Sequence, residues 1–180
     1  MAALQWLHQP ALDSPVALIA FEGWGDAGES STMAALAFLE KLDSELIAIV
    51  DPDELFDFQV RRPTVSLDSS GIRSITWPRN EIHAVRASEH DLVVVLGEEP
   101  HYRWKAFTAE LVEALVSLGV KRAVTLGAFI GQVAHTLPVP LVGSATQPDT
   151  LGIHRLHPSG YEGPTGIVGI LNAALGNADI

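Results

Sequence analysis

The chain has 180 residues, of which 47% are hydrophobic and 18% charged, with a formal net charge of −11 at neutral pH and no cysteine. An acidic surface repels phosphate backbones, so general nucleic-acid binding is not expected, and the basic pairs Arg61-Arg62 and Lys121-Arg122 are too short to form a patch. Without cysteine there is no disulfide, thiol nucleophile or cysteine metal site. No apolar run approaches the ~20 residues of a membrane span, and Met1 to Pro10 lacks the charged and apolar regions of a secretion signal. The expectation is a cytoplasmic protein that engages neither nucleic acid nor membrane.

Pro15 to Phe21, PVALIAF, is a continuous apolar run that suits a strand buried on both faces. The turn EGWGDAG, Glu22 to Gly28, follows, then a helix from Asp26 or Ser30 to Leu42, where Asp26 and Glu29 have capping-box spacing. Leu46 to Val50 is the next strand. Thr64 to Leu67, the turn Asp68-Ser69-Ser70-Gly71 and Ile72 to Trp77 spell a hairpin. Ile82 to Arg86 adds a short strand, and DLVVVLG, Asp91 to Gly97, is the strongest strand in the chain. After Pro100 a helix carries Trp104, Phe107, Leu111, Leu115 and Leu118 as one apolar stripe, closed by Gly119. Arg122 to Leu126 and Val139 to Ala145 are read as strands, and Thr165 to Leu175 as a last helix with Pro164 near its first turn. This order predicts one α/β domain over 1–180: a three-layer α/β/α sandwich with a mixed, mostly parallel sheet and a hairpin insertion at about 64–77.

In such sheets the loops at the strand carboxyl ends form the functional edge. They carry Glu22-Gly23-Trp24, Asp51-Pro52-Asp53, Glu98-Glu99-Pro100, Gly127-Ala128 and Gly143-Ser144. Gly23, Gly25 and Gly28 spell G-x-G-x-x-G between a strand and a helix, with Asp51 where a ribose-binding carboxylate would sit. Asp26, however, places a negative charge where the phosphates would lie, so no nicotinamide or flavin cofactor is expected. His154 and His157 are three apart without identifiable co-ligands, which is chance spacing among seven histidines, so no metal is expected either. Glu98 and Glu99 alternate sides in an extended chain and make no acid/base pair by spacing. There is no G-x-S-x-G, and His135-Thr136 is the best lone polar candidate, against the plainer reading of a structural histidine. No complete catalytic set is visible.

Taken in order, the turns resemble those of the proteasome assembly chaperone 2 family, in its actinobacterial-type branch. FEGWGDAG at Phe21 to Gly28, Arg62-Pro63, Trp77-Pro78, GEEPHYRW at Gly97 to Trp104, TLGA at Thr125 to Ala128 with His135-Thr136, and YEGPTGIVGIL at Tyr161 to Leu171 carry the resemblance. Leu137 stands where the family has an arginine after His-Thr. The resemblance implies a phosphorylase/hydrolase-like core and a chaperone-like role through protein contacts. The partners are then a second copy of the chain and proteasome-related or other cytoplasmic proteins. Relatives continue into a helical region, so the chain reads as the family core. Its last residues, Ala178-Asp179-Ile180, are not the hydrophobic–Tyr–any tripeptide of proteasome-docking relatives. The alternative is a small-molecule binder, or a hydrolase/phosphorylase-like enzyme. The candidate ligand or partner rim is Trp24, Asp26, Glu98, Glu99, His135, Thr136, Tyr161 and Thr165.

Overall fold

The computed structural model describes residues 3–147 and 149–180; the Met1-Ala2 start of the stretch read for a secretion signal lies outside them. The chain divides into two compact units, residues 1–129 with 166–180, and residues 130–165.

The first unit is built on β2 (Val16–Glu22) and β7 (Leu92–Glu98), which lie parallel and in register from Val16↔Leu92 to Glu22↔Glu98. Their apolar runs are central strands because both faces are covered. With β1 (Leu4–Trp6), β3 (Asp43–Val50), β6 (Asn80–Arg86) and β8 (Arg122–Thr125) they make a six-stranded sheet of order β1-β3-β6-β7-β2-β8. Alternate residues point to opposite faces. Ile19, Phe21, Ile82, Ala84, Val93 and Val95 pack under α2 (Trp104–Ser117) and α4 (Ile167–Asn177). Ala20, Val85 and Val94 face Ala35 of α1 (Ser30–Lys41) on the other side. This unit therefore has the expected three layers, unequal in bulk: two helices cover one face and α1 alone the other. The predicted stripe of α2 is its buried side, with Phe107, Leu111 and Leu115 at 3% exposure or less. Each such side chain contributes about 1.5–3 kcal/mol by leaving water.

The sheet is mixed, and four of its six strands, β2, β3, β7 and β8, run in one direction; β2–β7 and β2–β8 are parallel neighbours, while β1 and β6 run against them, so that β1–β3, β3–β6 and β6–β7 are antiparallel. Parallel neighbours need a crossover of a dozen or more residues, and the short loop between Arg86 and Leu92 allows only an antiparallel return. Val139 to Ala145 is not a strand of this sheet. Only β9 (Val142–Gly143) is extended there, paired with β10 (His157–Pro158), because Pro138 and Pro140 remove ladder donors just before it. The capping box also does not form: Glu29 is left-handed (φ 56°), and Asp26 instead reaches forward to Ser31 and Thr32. The helix read from Thr165 begins at Ile167.

The hairpin is present as β4 (Thr64–Leu67) and β5 (Arg73–Thr76), a two-stranded sheet of its own. Asp68 Oδ1 accepts from the Ser70 and Ile72 amides at 2.8 and 2.9 Å, and Gly71 takes the left-handed conformation (φ 77°) that the turn requires. The 130–165 unit holds β9, β10 and the short helix α3 (Asp149–Ile153).

Candidate functional site

The carboxyl ends of β2 and β7 set Glu22 and Glu98 directly beside one another. Like charges in register repel, and the sheet end is stable because a cation answers both. Arg61 donates to Glu22 Oε2 at 2.6 Å and pairs through Nε with Glu98. The hydrogen bond to Glu98 is the main cause that holds the Arg61 guanidinium above its ordinary pKa. A relay of backbone contacts positions this arginine. The Asp57 amide donates to His101 Nδ1 at 2.9 Å, and the Asp57 carbonyl accepts from the Arg61 amide at 2.8 Å.

Glu99, the next residue, turns the other way and becomes a brace. Its Oε1 accepts from the Ile167 amide at 2.7 Å, at the first turn of α4, and its Oε2 from the Trp24 amide at 3.4 Å. A carboxylate there is favoured by the unpaired amides and dipole of the helix start. The two glycines that flank it leave it room: a Cβ on Gly166 would lie 2.8 Å from Glu99 Oε1, and one on Gly23 3.0 Å from its Cβ. Trp24 itself is 66% exposed.

Asp26 is buried at the start of α1. It accepts from the Ser31 amide at 2.7 Å, the Thr32 amide at 3.4 Å and the hydroxyls of Ser31 and Thr32. Burial pushes its pKa up, and these hydrogen bonds more than reverse that, leaving it below the usual carboxylate value. The G-x-G-x-x-G turn thus has its helix amides taken by the chain's own anion, where a pyrophosphate would otherwise dock. The turn is tied to the loop after β8 by Ala128 N–H to Gly25 O, 2.7 Å, and Ala27 N–H to Ala128 O, 3.1 Å.

Of the residues singled out from sequence, Trp24, Asp26, Glu98 and Glu99 therefore belong to the 1–129 and 166–180 unit, at the ends of β2 and β7. His135, Thr136, Tyr161 and Thr165 belong to the 130–165 unit. There, His135, Thr136 and Tyr161 are exposed, and the Tyr161 hydroxyl donates to the Pro164 carbonyl at 2.9 Å. His154 and His157 lie in the same unit, and among the described residues no three His, Cys, Asp or Glu side chains are grouped to hold a metal ion. Sequence reasoning missed Arg61 as the partner of the strand-end glutamates. It also missed a charged cluster on β6, where Glu81 binds His83 Nε2 at 2.8 Å and Arg79 Nε at 2.5 Å. The hydrogen bond from His83 is the first cause that lowers the pKa of Glu81. The i, i+2 spacing of Glu81 and His83 on a strand was the available signal.

The model of the PAC2 family matches residues 20–180. The chain belongs to the PAC2 family. It is similar over 91% of its length to a PAC2 family protein from Streptomyces avermitilis, at 45% identity and a TM-score of 0.83, covering 71% of that chain. A Mycobacterium tuberculosis proteasome-assembly chaperone homologue matches 92% of it at 36% identity and a TM-score of 0.83, again over 71% of the longer chain. An archaeal homologue of proteasome-assembly chaperone, from Pyrococcus furiosus, shares the fold at 18% identity and a TM-score of 0.66, over 97% of this chain and 71% of that one. No curated protein matches the chain. The PAC2 signatures read from the turns now have a physical basis: Gly23 and Gly166 are the close approaches to Glu99, and the aspartate of FEGWGDAG is the α1 cap.

Proposed function

We propose that the protein is a chaperone-like assembly factor of the cytoplasm that works through protein–protein contacts as a homo-oligomer. The observation that carries this reading is the contrast between engaged polar groups and uncovered apolar ones. At the sheet end, Asp26, Glu98 and Glu99 are each held by the chain's own amides, hydroxyls or arginine. Meanwhile Val65, Leu67, Ile72 and Ile75 of the hairpin region, and Met33 of α1, are more than half exposed. Contiguous exposed apolar surface marks a place for a protein partner. Among the described residues no helix is long and apolar enough to cross a membrane. Relatives described as proteasome-assembly chaperone homologues support the same class of role.

Trp24, exposed beside Glu99, favours a second reading in which this edge takes a small ligand. A pull-down from the source cytoplasm, run beside a ligand thermal-shift screen, separates the two. A stoichiometric protein complex with no ligand shift is expected. A saturable ligand shift with no stable complex overturns the assembly reading. Titration with NAD and NADP, followed by tryptophan fluorescence, is expected to show no saturation in the micromolar range. Saturation abolished by Gly23→Val would restore the dinucleotide site.

A further inference from the structure

The amino ends of the central strands carry a second constellation, at the opposite end of β2 from Glu22. Val16 opens β2 beside Arg122, the first residue of β8. Next to this pair lies a cavity of about 470 Å³. Leu12, Pro15 and Leu118 give it an apolar side, and Ser14, Lys121 and Arg122 line the polar side. Both cations are unclaimed in a chain whose formal charge is −11. Arg61, Arg79, Arg86 and Arg103 are each paired with a carboxylate of the chain itself. Among the described residues, Lys121 and Arg122 enter no ion pair. The end of α2 does not engage them either, because the carbonyls of Ala114, Leu115 and Val116 accept from the amides of Leu118, Val120 and Gly119.

The facing segment is held in a strained shape. Ser14 has a left-handed backbone (φ 46°), a conformation that a Cβ disfavours. Buried Asp91 imposes it. Its carboxylate accepts from the Asp13 amide at 2.8 Å and from Arg86 at 2.7 Å, and Arg86 also donates to the Ala11 carbonyl at 3.0 Å. The Asp91 amide donates to the Asp13 carbonyl at 3.1 Å, and the Asp91 carbonyl accepts from the Val16 amide at 3.0 Å. The chain is thus pinned on both sides of Ser14. Strain that the surroundings over-determine in this way collects at ligand clamps. The Ser14 hydroxyl donates to Asp13 Oδ1 at 3.2 Å, so the neighbouring acid is engaged, and the hydroxyl is free to turn to another anion.

We propose that this cavity binds a small organic oxyanion, a phosphate or carboxylate head on an apolar body. Lys121 and Arg122 hold the head, with the Ser14 hydroxyl beside it, and Leu12, Pro15 and Leu118 receive the body. An acidic protein repels anions at long range, so a site for one needs local cations that no internal acid neutralises. Lys121 supplies a point charge and Arg122 a planar fork that fits either head. The apolar side favours an organic anion over a bare ion. The site involves neither the hairpin nor a second copy, and it stands independently of the assembly reading.

Titration calorimetry of the full chain at low salt tests it, with phenyl phosphate, benzoate, inorganic phosphate and phenol as probes. Phenyl phosphate or benzoate is expected to saturate one site per chain, about tenfold tighter than either inorganic phosphate or phenol, because only a joined head and body fill both sides. Lys121→Gln and Arg122→Gln are each expected to weaken that binding about fivefold. Ser14→Gly keeps a backbone conformation that glycine adopts freely, so its urea midpoint is expected to be no lower than that of wild type while binding weakens about threefold. A thermal shift lost in Arg122→Gln belongs to this cavity and not to the Trp24 edge, so it leaves the assembly reading untouched. No saturation by either joined probe up to about 10 mM, or saturation that Lys121→Gln and Arg122→Gln leave unchanged, overturns the site. Inorganic phosphate bound as tightly as the joined probes overturns the ligand class and marks an adventitious ion only.

Discussion

The sheet end and the hairpin are both exposed parts of one folded unit, yet they treat their groups in opposite ways. At the sheet end three carboxylates singled out from sequence have donors: Asp26 holds the first turn of α1, Glu99 that of α4, and Glu98 shares Arg61 with Glu22. In the hairpin the strand residues are all exposed, and among the described residues β4 and β5 pair with each other across the ribbon. Polar groups are therefore engaged where the sequence looked chemical, and apolar side chains are left exposed in the hairpin insertion. The first region reads as scaffold and the second as contact.

If that contrast is right, substitutions at the sheet end cost stability and substitutions in the hairpin do not. The largest loss is expected for Asp26→Ala, which strands two amides and two hydroxyls at a buried position. A loss of about 3 kcal/mol in urea unfolding is expected, from about 1–3 kcal/mol for each unsatisfied buried donor with partial relaxation. A loss below about 0.5 kcal/mol would show that the cap is not structural. Next comes Glu99→Gln, which keeps an acceptor for Ile167 but removes the charge at the α4 start. About 1 kcal/mol is expected, read in the same assay. Arg61→Ala follows, with a loss within about 1 kcal/mol because its side chain is 48% exposed and its ion pairs are screened. The smallest effect is expected for Ile75→Asp, within about 0.5 kcal/mol, in a variant whose assembly is nevertheless lost. If Ile75→Asp destabilises the monomer as much as Asp26→Ala, the hairpin is scaffold and the contrast fails.

Acid sharpens the same comparison. The folded-state pKa of Asp26 lies below its ordinary value of 3.8. The unfolded chain then takes up the proton first, and the stability Asp26 contributes is fully present above that ordinary value. It is lost as the pH falls through the lower folded-state value. Glu81 and Asp91 are lowered in the same direction, so wild type alone does not isolate Asp26. The gap in urea midpoint between wild type and Asp26→Asn is expected to be widest near neutrality and to narrow below pH 4. A gap that does not depend on pH would remove the charge from the cap.

How far the sequence could be read depended on how local the cause was. β2, β7 and α2 were legible because their periodicity lies in one segment, and the hairpin because its turn chemistry does. The cap of α1 was half legible: Asp26 was seen as a charge where phosphates would lie, while its hydroxyl partners Ser31 and Thr32 were not. Glu99 was legible only as a position. Its amide partners come from Trp24 and Ile167, 75 and 68 residues away, and no local pattern announces such a brace. Arg61, 39 residues from Glu22, was likewise seen only as part of a short basic pair. β1 was missed because three residues make no period; its strand exists only through pairing with β3 from Leu4↔Val50 to Trp6↔Ala48. The reversed direction of β6 was not legible because it depends on the length of the connection, and 87–91 is too short to cross over to a parallel β7.

On the proposed function, the hairpin region is a contact surface and the protein an oligomer built from its folded core. Light scattering of the wild-type chain after size exclusion, over dilution from high micromolar to nanomolar, tests it most directly. A fixed multiple of 19.3 kDa across the upper part of that range is the predicted result. A single mass of 19.3 kDa at high micromolar concentration would contradict it.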